Sequence, residues 1–69
     1  MMVVSLNGET RSVEDGVTVL ALVQSLGARA DGRGIAVAIG GEVVPRSAWP
    51  HTVLVTGVHV EVLTAVQGG

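Results

Sequence analysis

The residues of this 69-residue chain best placed to do chemistry are its last two, Gly68 and Gly69. They follow an apolar segment that has the pattern of a strand, so the chain is expected to end in a thin arm with a carboxylate at its tip. Glycine has no side chain, and its backbone accepts nearly any dihedral angles. The pattern is typical of a carrier that offers its own C-terminus to other proteins, although glycines are also tolerated at chain ends without a function.

The rest of the chain shows no catalytic constellation. It contains no cysteine, which excludes a thiolate nucleophile, a disulfide and a thiolate metal site. His51 and His59 have no ligand spacing, and we expect both to be solvated surface groups. The glycines at 32–34 and 40–41 do not match a phosphate-binding loop. We therefore expect no metal, no bound cofactor and no enzymatic activity of the chain itself.

Composition and charge also exclude several partners. The net charge is −2 and Trp49 is the only aromatic residue, so the chain lacks the basic field and the stacking platforms that nucleic acids require. From the pattern of apolar residues we expect no bilayer-spanning segment and no leader before the first strand. We expect a single domain over residues 1–69. We also expect it in the cytoplasm, because the absence of cysteine fits a reducing compartment.

A hairpin and a helix are predicted in the first half. Residues 2–6 and 9–13 alternate like strands around Asn7-Gly8, the strongest short hairpin signal, because a type I′ turn needs positive φ at both central residues. Apolar residues at 19, 22, 23 and 26 then share one helical face. Thr18 can cap this helix, predicted over residues 18–26, and Gly27 can end it in a left-handed conformation.

The second half is predicted to hold three further strands. Residues 35–39 form an apolar run, which we expect to be a strand buried on both sides. Residues 42–44 are predicted to form a brief strand that ends at Pro45. The last strand is predicted over residues 59–66. Residues 46–52 are expected to be irregular. The order β-β-α-β-β-β predicts an α+β fold, a mixed sheet of four to five strands packed on one helix, in which the first and last strands pair in parallel.

Two features near the tail have more than one interpretation. Leu63, Ala65 and Val66 give the last strand an apolar outward face, which indicates either a docking surface beside the arm or a strand covered by its own loop. Trp49 either fills one end of a core without other aromatic residues or, with Arg46, shapes the face next to the tail.

A set of short motifs runs along the chain: Asn7-Gly8-Glu9, Ser25-Leu26-Gly27, Val37-Ala38-Ile39, the segment from Gly41 to Ser47, Trp49 and the ending Thr64-Ala65-Val66-Gln67-Gly68-Gly69. In this combination the chain resembles the ThiS family, the sulfur carrier proteins of thiamine biosynthesis, which share the β-grasp fold of ubiquitin. The resemblance covers essentially the whole chain, with two departures at turns, Gly40-Gly41-Glu42 and Gly57-Val58, neither of which touches the tail.

The resemblance implies a carrier that acts as a co-substrate. An E1-like adenylyltransferase would use ATP to adenylate the Gly69 carboxylate, and a sulfur donor such as a cysteine desulfurase would convert it to a thiocarboxylate. Thiazole synthase would then take the sulfur. Gln67 and Gly68 would give reach as part of a flexible tail over residues 67–69, and Leu63, Ala65 and Val66 would help to dock the partners.

Three alternatives remain at this point. The small subunit of molybdopterin synthase uses the same fold and tail chemistry, although those chains usually run longer. A ubiquitin-like modifier would join its tail to a lysine of another protein. A structural β-grasp module would have an inert tail.

Overall fold

Five strands, one α-helix and a short 3-10 helix make up the part of the chain that the computed structural model describes, residues 1–27 and 34–64. They follow the predicted order. The elements are β1 (Met2–Leu6), β2 (Glu9–Val13), α1 (Val19–Ser25), β3 (Ile35–Ile39), β4 (Glu42–Val44), the 3-10 helix (Arg46–His51) and β5 (His59–Thr64).

The strands form one mixed sheet in the order β2-β1-β5-β3-β4. The first and last strands lie side by side in parallel at its centre, with Ser5 opposite His59 and Leu6 opposite Val60. The other three pairings are antiparallel. The α+β prediction and the central parallel pair are therefore confirmed, and β5 has a neighbouring strand on each side.

The β1–β2 hairpin turns at Asn7 and Gly8, as predicted. Their φ angles are 51° and 84°, the left-handed values that a type I′ turn requires at both central positions. Glycine reaches such values without strain, and asparagine is one of the few other residues that tolerates them. This turn fixes the register in which Met2 pairs with Val13 and Leu6 with Glu9.

The helix begins and ends where its cap residues predict. The Thr18 hydroxyl accepts a hydrogen bond of 3.1 Å from the Ala21 N–H, which satisfies one of the free donors at the helix start. Gly27 follows the last turn with φ of 81°. Val19, Leu22 and Val23 are buried, whereas Leu26, predicted on the same face, is 37% exposed because it lies at the cap after α1 has ended.

The core lies between α1 and the inner face of the sheet. Trp49, 1% exposed, belongs to it and donates its indole N–H to the Val44 carbonyl at 3.0 Å. The interpretation of Trp49 as a core residue is thereby confirmed. The buried residues are Val4, Leu6, Val13, Val19, Leu22, Val23, Val37, Trp49, Leu54 and Val60.

Two predictions for the second half were wrong. β3 is not buried on both sides: Val37 faces the core, but Ala36 is exposed and Ala38 only half-buried, because α1 covers one face of the sheet. Residues 46–52 are not irregular, since Arg46–His51 form a 3-10 helix that places Trp49 in the core. β5 is described to Thr64, and its predicted last two residues lie outside the described part.

Candidate functional site

The candidate site is the end of the described part of β5, which precedes the last five residues of the chain. β5 is held on one side by β3, with Leu63 opposite Ala36 and Thr64 opposite Ile35. Ala65, Val66, Gln67, Gly68 and Gly69 lie outside the described residues. Their predicted roles in docking, reach and sulfur chemistry therefore stay predictions.

Leu63 is the predicted docking residue that the structure does describe, and 63% of it is exposed. The alternative of a strand covered by its own loop is therefore wrong at Leu63. Across the sheet Ala36 stands opposite Leu63, and Ala38 stands between Val43 of β4 and the exposed Glu61 of β5. Val43 is 75% exposed. We call these four residues, Ala36, Ala38, Val43 and Leu63, the outer patch.

The outer patch follows from the alternation of strand side chains. Successive residues point to opposite faces of a sheet, so Val60 and Val62 face α1 while Glu61 and Leu63 face away. Val60 is buried and Val62 half-buried, whereas Glu61 and Leu63 are exposed. The predicted division of the last strand into two faces is confirmed over the described residues. Exposed apolar side chains such as Leu63 and Val43, beside the carboxylate of Glu61, form the kind of surface that a protein partner covers.

A hydrogen-bonded contact that the sequence did not predict holds β5 from its other side. The side chain of Asn7 donates from Nδ2 to the Val62 carbonyl at 3.1 Å, and its Oδ1 accepts from the Val62 N–H at 2.8 Å. We call this pair of bonds the Asn7 clip. The sequence singles out Asn7 only as a turn residue, and its partner lies 55 positions away, beyond the reach of any local pattern.

The titratable side chains do not assemble a second site. His51 ends the 3-10 helix and His59 begins β5, and both are exposed, as expected. Arg46 is also exposed. Among residues 1–27 and 34–64, no group of three or more His, Asp or Glu side chains could hold a metal ion. None of the helices in these ranges is long and apolar enough to cross a membrane.

A mixed sheet that grips one helix, with the strand before the chain end at its centre, defines a small β-grasp protein. The chain belongs to the ThiS family, whose model matches residues 4–69. The match thus includes the outer patch, the residues of the Asn7 clip and the glycine ending.

Two solved structures are similar over nearly the whole chain. One is the crystal structure of the thiamine biosynthesis protein (ThiS) from Geobacter metallireducens, at 30% identity and a TM-score of 0.80, covering 99% of this chain and 100% of that one. The other is the NMR solution structure of a thiamine biosynthesis protein from Geobacter metallireducens, at 28% identity and 0.81, covering 99% and 88%. No curated protein sequence matches the chain.

Proposed function

We propose that the chain is the sulfur carrier for thiazole formation in thiamine biosynthesis and that the carboxylate of Gly69 carries the sulfur. The observation that supports this most is the ThiS match, which extends through Gly68 and Gly69. The similar solved structures are those of thiamine biosynthesis proteins. In this proposal the chain is a co-substrate of other enzymes and has no catalytic residues of its own.

Activation of the terminal carboxylate is the first chemical step. A carboxylate is a poor electrophile, because its negative charge repels nucleophiles and an oxide is a poor leaving group. Attack of a Gly69 oxygen on the α-phosphorus of ATP would release pyrophosphate and form a mixed anhydride with AMP. The ATP would be bound by an E1-like adenylyltransferase, and no bound cofactor is proposed for the carrier.

Sulfur transfer follows from that anhydride. A persulfide, supplied through a cysteine desulfurase or a related donor, would attack the Gly69 carbonyl carbon and displace AMP. Reduction of the resulting sulfur–sulfur bond by a thiol would leave the thiocarboxylate on Gly69. Thiazole synthase would then accept the tail and take the sulfur. We place these steps in the cytoplasm, which suits a chain without cysteine.

The sheet supplies the rigid end from which the tail would act. The predicted tail of residues 67–69, fully extended, would reach about 10 Å. That length suits an arm that enters a partner's active site while the domain docks outside. Leu63 in the outer patch, with Ala65 and Val66, would make the docking contacts, because an apolar centre is what such interfaces bury.

Mass spectrometry of the intact chain tests the proposal. Incubation with the cognate adenylyltransferase, ATP and a sulfur donor should raise the mass by the difference between one sulfur and one oxygen atom. Omitting ATP should prevent the gain, and so should deletion of Gly69. A deletion variant that still gains sulfur would show that the acceptor lies elsewhere in the chain.

Capture of partners separates this function from its alternatives. We expect the chain to retain thiazole synthase. Retention of the large subunit of molybdopterin synthase would instead support the first alternative, and high-mass conjugates would support a protein modifier. A tail that tolerates added residues without loss of any partner would support an inert structural module.

A further inference from the structure

We propose that Asn7 is a positioning residue for the arm that carries Gly69. Its side-chain amide holds the last described part of β5 in place and thereby fixes the position of the strand that leads to Gly69. This inference rests on the proposed carrier function. It adds to that function a residue that belongs neither to the tail nor to the outer patch.

The clip lies where β5 loses its parallel neighbour. The main-chain bonds from Ser5 N–H to the Val58 carbonyl and from Asn7 N–H to the Val60 carbonyl, both 2.9 Å, hold β5 against β1. At Asn7 the main chain turns away to form β2, whereas β5 continues to Thr64. The next main-chain groups of β5 on this side belong to Val62.

One side chain serves both of those groups. Alternate residues of a strand direct their N–H and C=O to opposite sides, so Val62 points toward β1, as Val60 does. Asn7 supplies an acceptor to the Val62 N–H at 2.8 Å and a donor to its carbonyl at 3.1 Å. The amide therefore extends the pairing with β1 by one step, although the main chain of β1 has ended.

The turn alone does not require an amide at this position. Asp-Gly and Gly-Gly form the same type I′ turn as Asn-Gly. An ionised aspartate has acceptors but no donor, and glycine has neither. Of asparagine, aspartate and glycine, asparagine alone both tolerates the left-handed φ of 51° and offers a donor and an acceptor to the main chain of Val62. This gives two variants that keep the turn and remove one or both bonds of the clip.

The clip acts close to the arm. Only Leu63 and Thr64 separate Val62 from the last five residues, and both pair with β3 on the opposite side. Without the clip, the end of β5 would be held from the β3 side, and strand ends with few partners open easily. A reacting group displaced by about 1 Å can lose on the order of a hundredfold in rate. The clip is thus expected to affect the chemical step more than docking.

The test compares Asn7→Asp and Asn7→Gly with Thr18→Ala, which removes the helix cap and leaves both residues of the clip unchanged. Pyrophosphate release by the cognate adenylyltransferase is measured with the carrier as the varied substrate, at a temperature where all variants are folded. We expect kcat to fall by about tenfold in Asn7→Gly and less in Asn7→Asp. KM for the carrier should stay unchanged, and Thr18→Ala should behave as the wild type.

Amide hydrogen exchange gives a second measurement that does not depend on activity. The Val62 amide should exchange faster in Asn7→Gly than in the wild type, and Thr18→Ala should not show a selective increase there. A folded Asn7→Gly variant with wild-type kcat overturns the inference, as does a rise in KM alone. If the wild-type chain gains no AMP, the proposed carrier function is contradicted instead. In that case, a selective loss of hydrogen-exchange protection at the Val62 amide in Asn7→Gly would still support the clip.

Discussion

Leu63 stands directly opposite Ala36 in the antiparallel pairing of β5 with β3, on the face of the sheet that α1 does not cover. A methyl group beside a leucine cannot shield it, which is why Leu63 remains 63% exposed. The strand that leads to the tail therefore presents its last described apolar side chain to solvent.

Replacement of Leu63 by serine should weaken binding to the adenylyltransferase by about tenfold, or about 1.4 kcal/mol, because 63% of this side chain is still exposed and fully burying a leucine is worth about 1.5–3 kcal/mol. The free energy of unfolding should change by no more than about 0.5 kcal/mol, because the side chain is exposed. Calorimetric titration measures the first and denaturant unfolding the second.

Val43→Ser is the matched control for this variant. Val43 is also an exposed member of the outer patch, but it lies on the edge strand β4, farther from the tail. We expect it to weaken binding less than Leu63→Ser. Equal affinity of Leu63→Ser and the wild type would exclude Leu63 from the docking surface.

Trp49→Phe should lower the free energy of unfolding by about 1–3 kcal/mol, because it removes the donor to the Val44 carbonyl and leaves space in the core. Trp49 is 1% exposed, so the substitution should lower the stability of the fold and leave partner binding unchanged. Urea unfolding followed by circular dichroism measures it. A variant as stable as the wild type would mean that the indole hydrogen bond contributes nothing.

Thr18→Ala should destabilise the fold by about 1 kcal/mol, since the Ala21 N–H loses its acceptor at the start of α1. Thr18→Ser keeps the hydroxyl and should lie within about half of that loss. Thermal unfolding of the two variants side by side checks the cap. If serine proves as harmful as alanine, the hydroxyl is not what stabilises the helix start.

One residue added after Gly69 should abolish sulfur loading, because the carboxylate would then belong to a different residue with a side chain at the tip of the arm. The same residue added before Met1 is the control and should leave loading intact. Intact-mass measurement after the loading reaction shows whether each of the two extended chains has gained sulfur. Normal loading of the C-terminally extended chain would contradict a role for Gly69.

Local patterns predicted much of the fold because their causes are local. Asn7-Gly8 demands the left-handed φ values that the structure shows, and Thr18 with its apolar helical face predicted α1 to within a residue at either end. The alternation along β5 predicted that Leu63 faces outward. Each of these follows from the chemistry of residues close together in the chain.

Three features that depend on distant packing were predicted wrongly or not at all. The apolar run Ile35–Ile39 predicted a strand buried on both faces. In the described part of the chain a single α-helix covers one face of the sheet, so Ala36 and Ala38 lie on the uncovered face. The 3-10 helix forms around the burial of Trp49 despite Pro50. The Asn7 clip joins residues that only the parallel β1–β5 register brings together.

Fragment-ion mass spectrometry of the sulfur-loaded chain locates the sulfur within the sequence. We predict that the added mass is found in every fragment that contains Gly69 and in no fragment that lacks it. Sulfur found in a fragment that ends before Gly69 would contradict the claim that the terminal carboxylate is the carrier group.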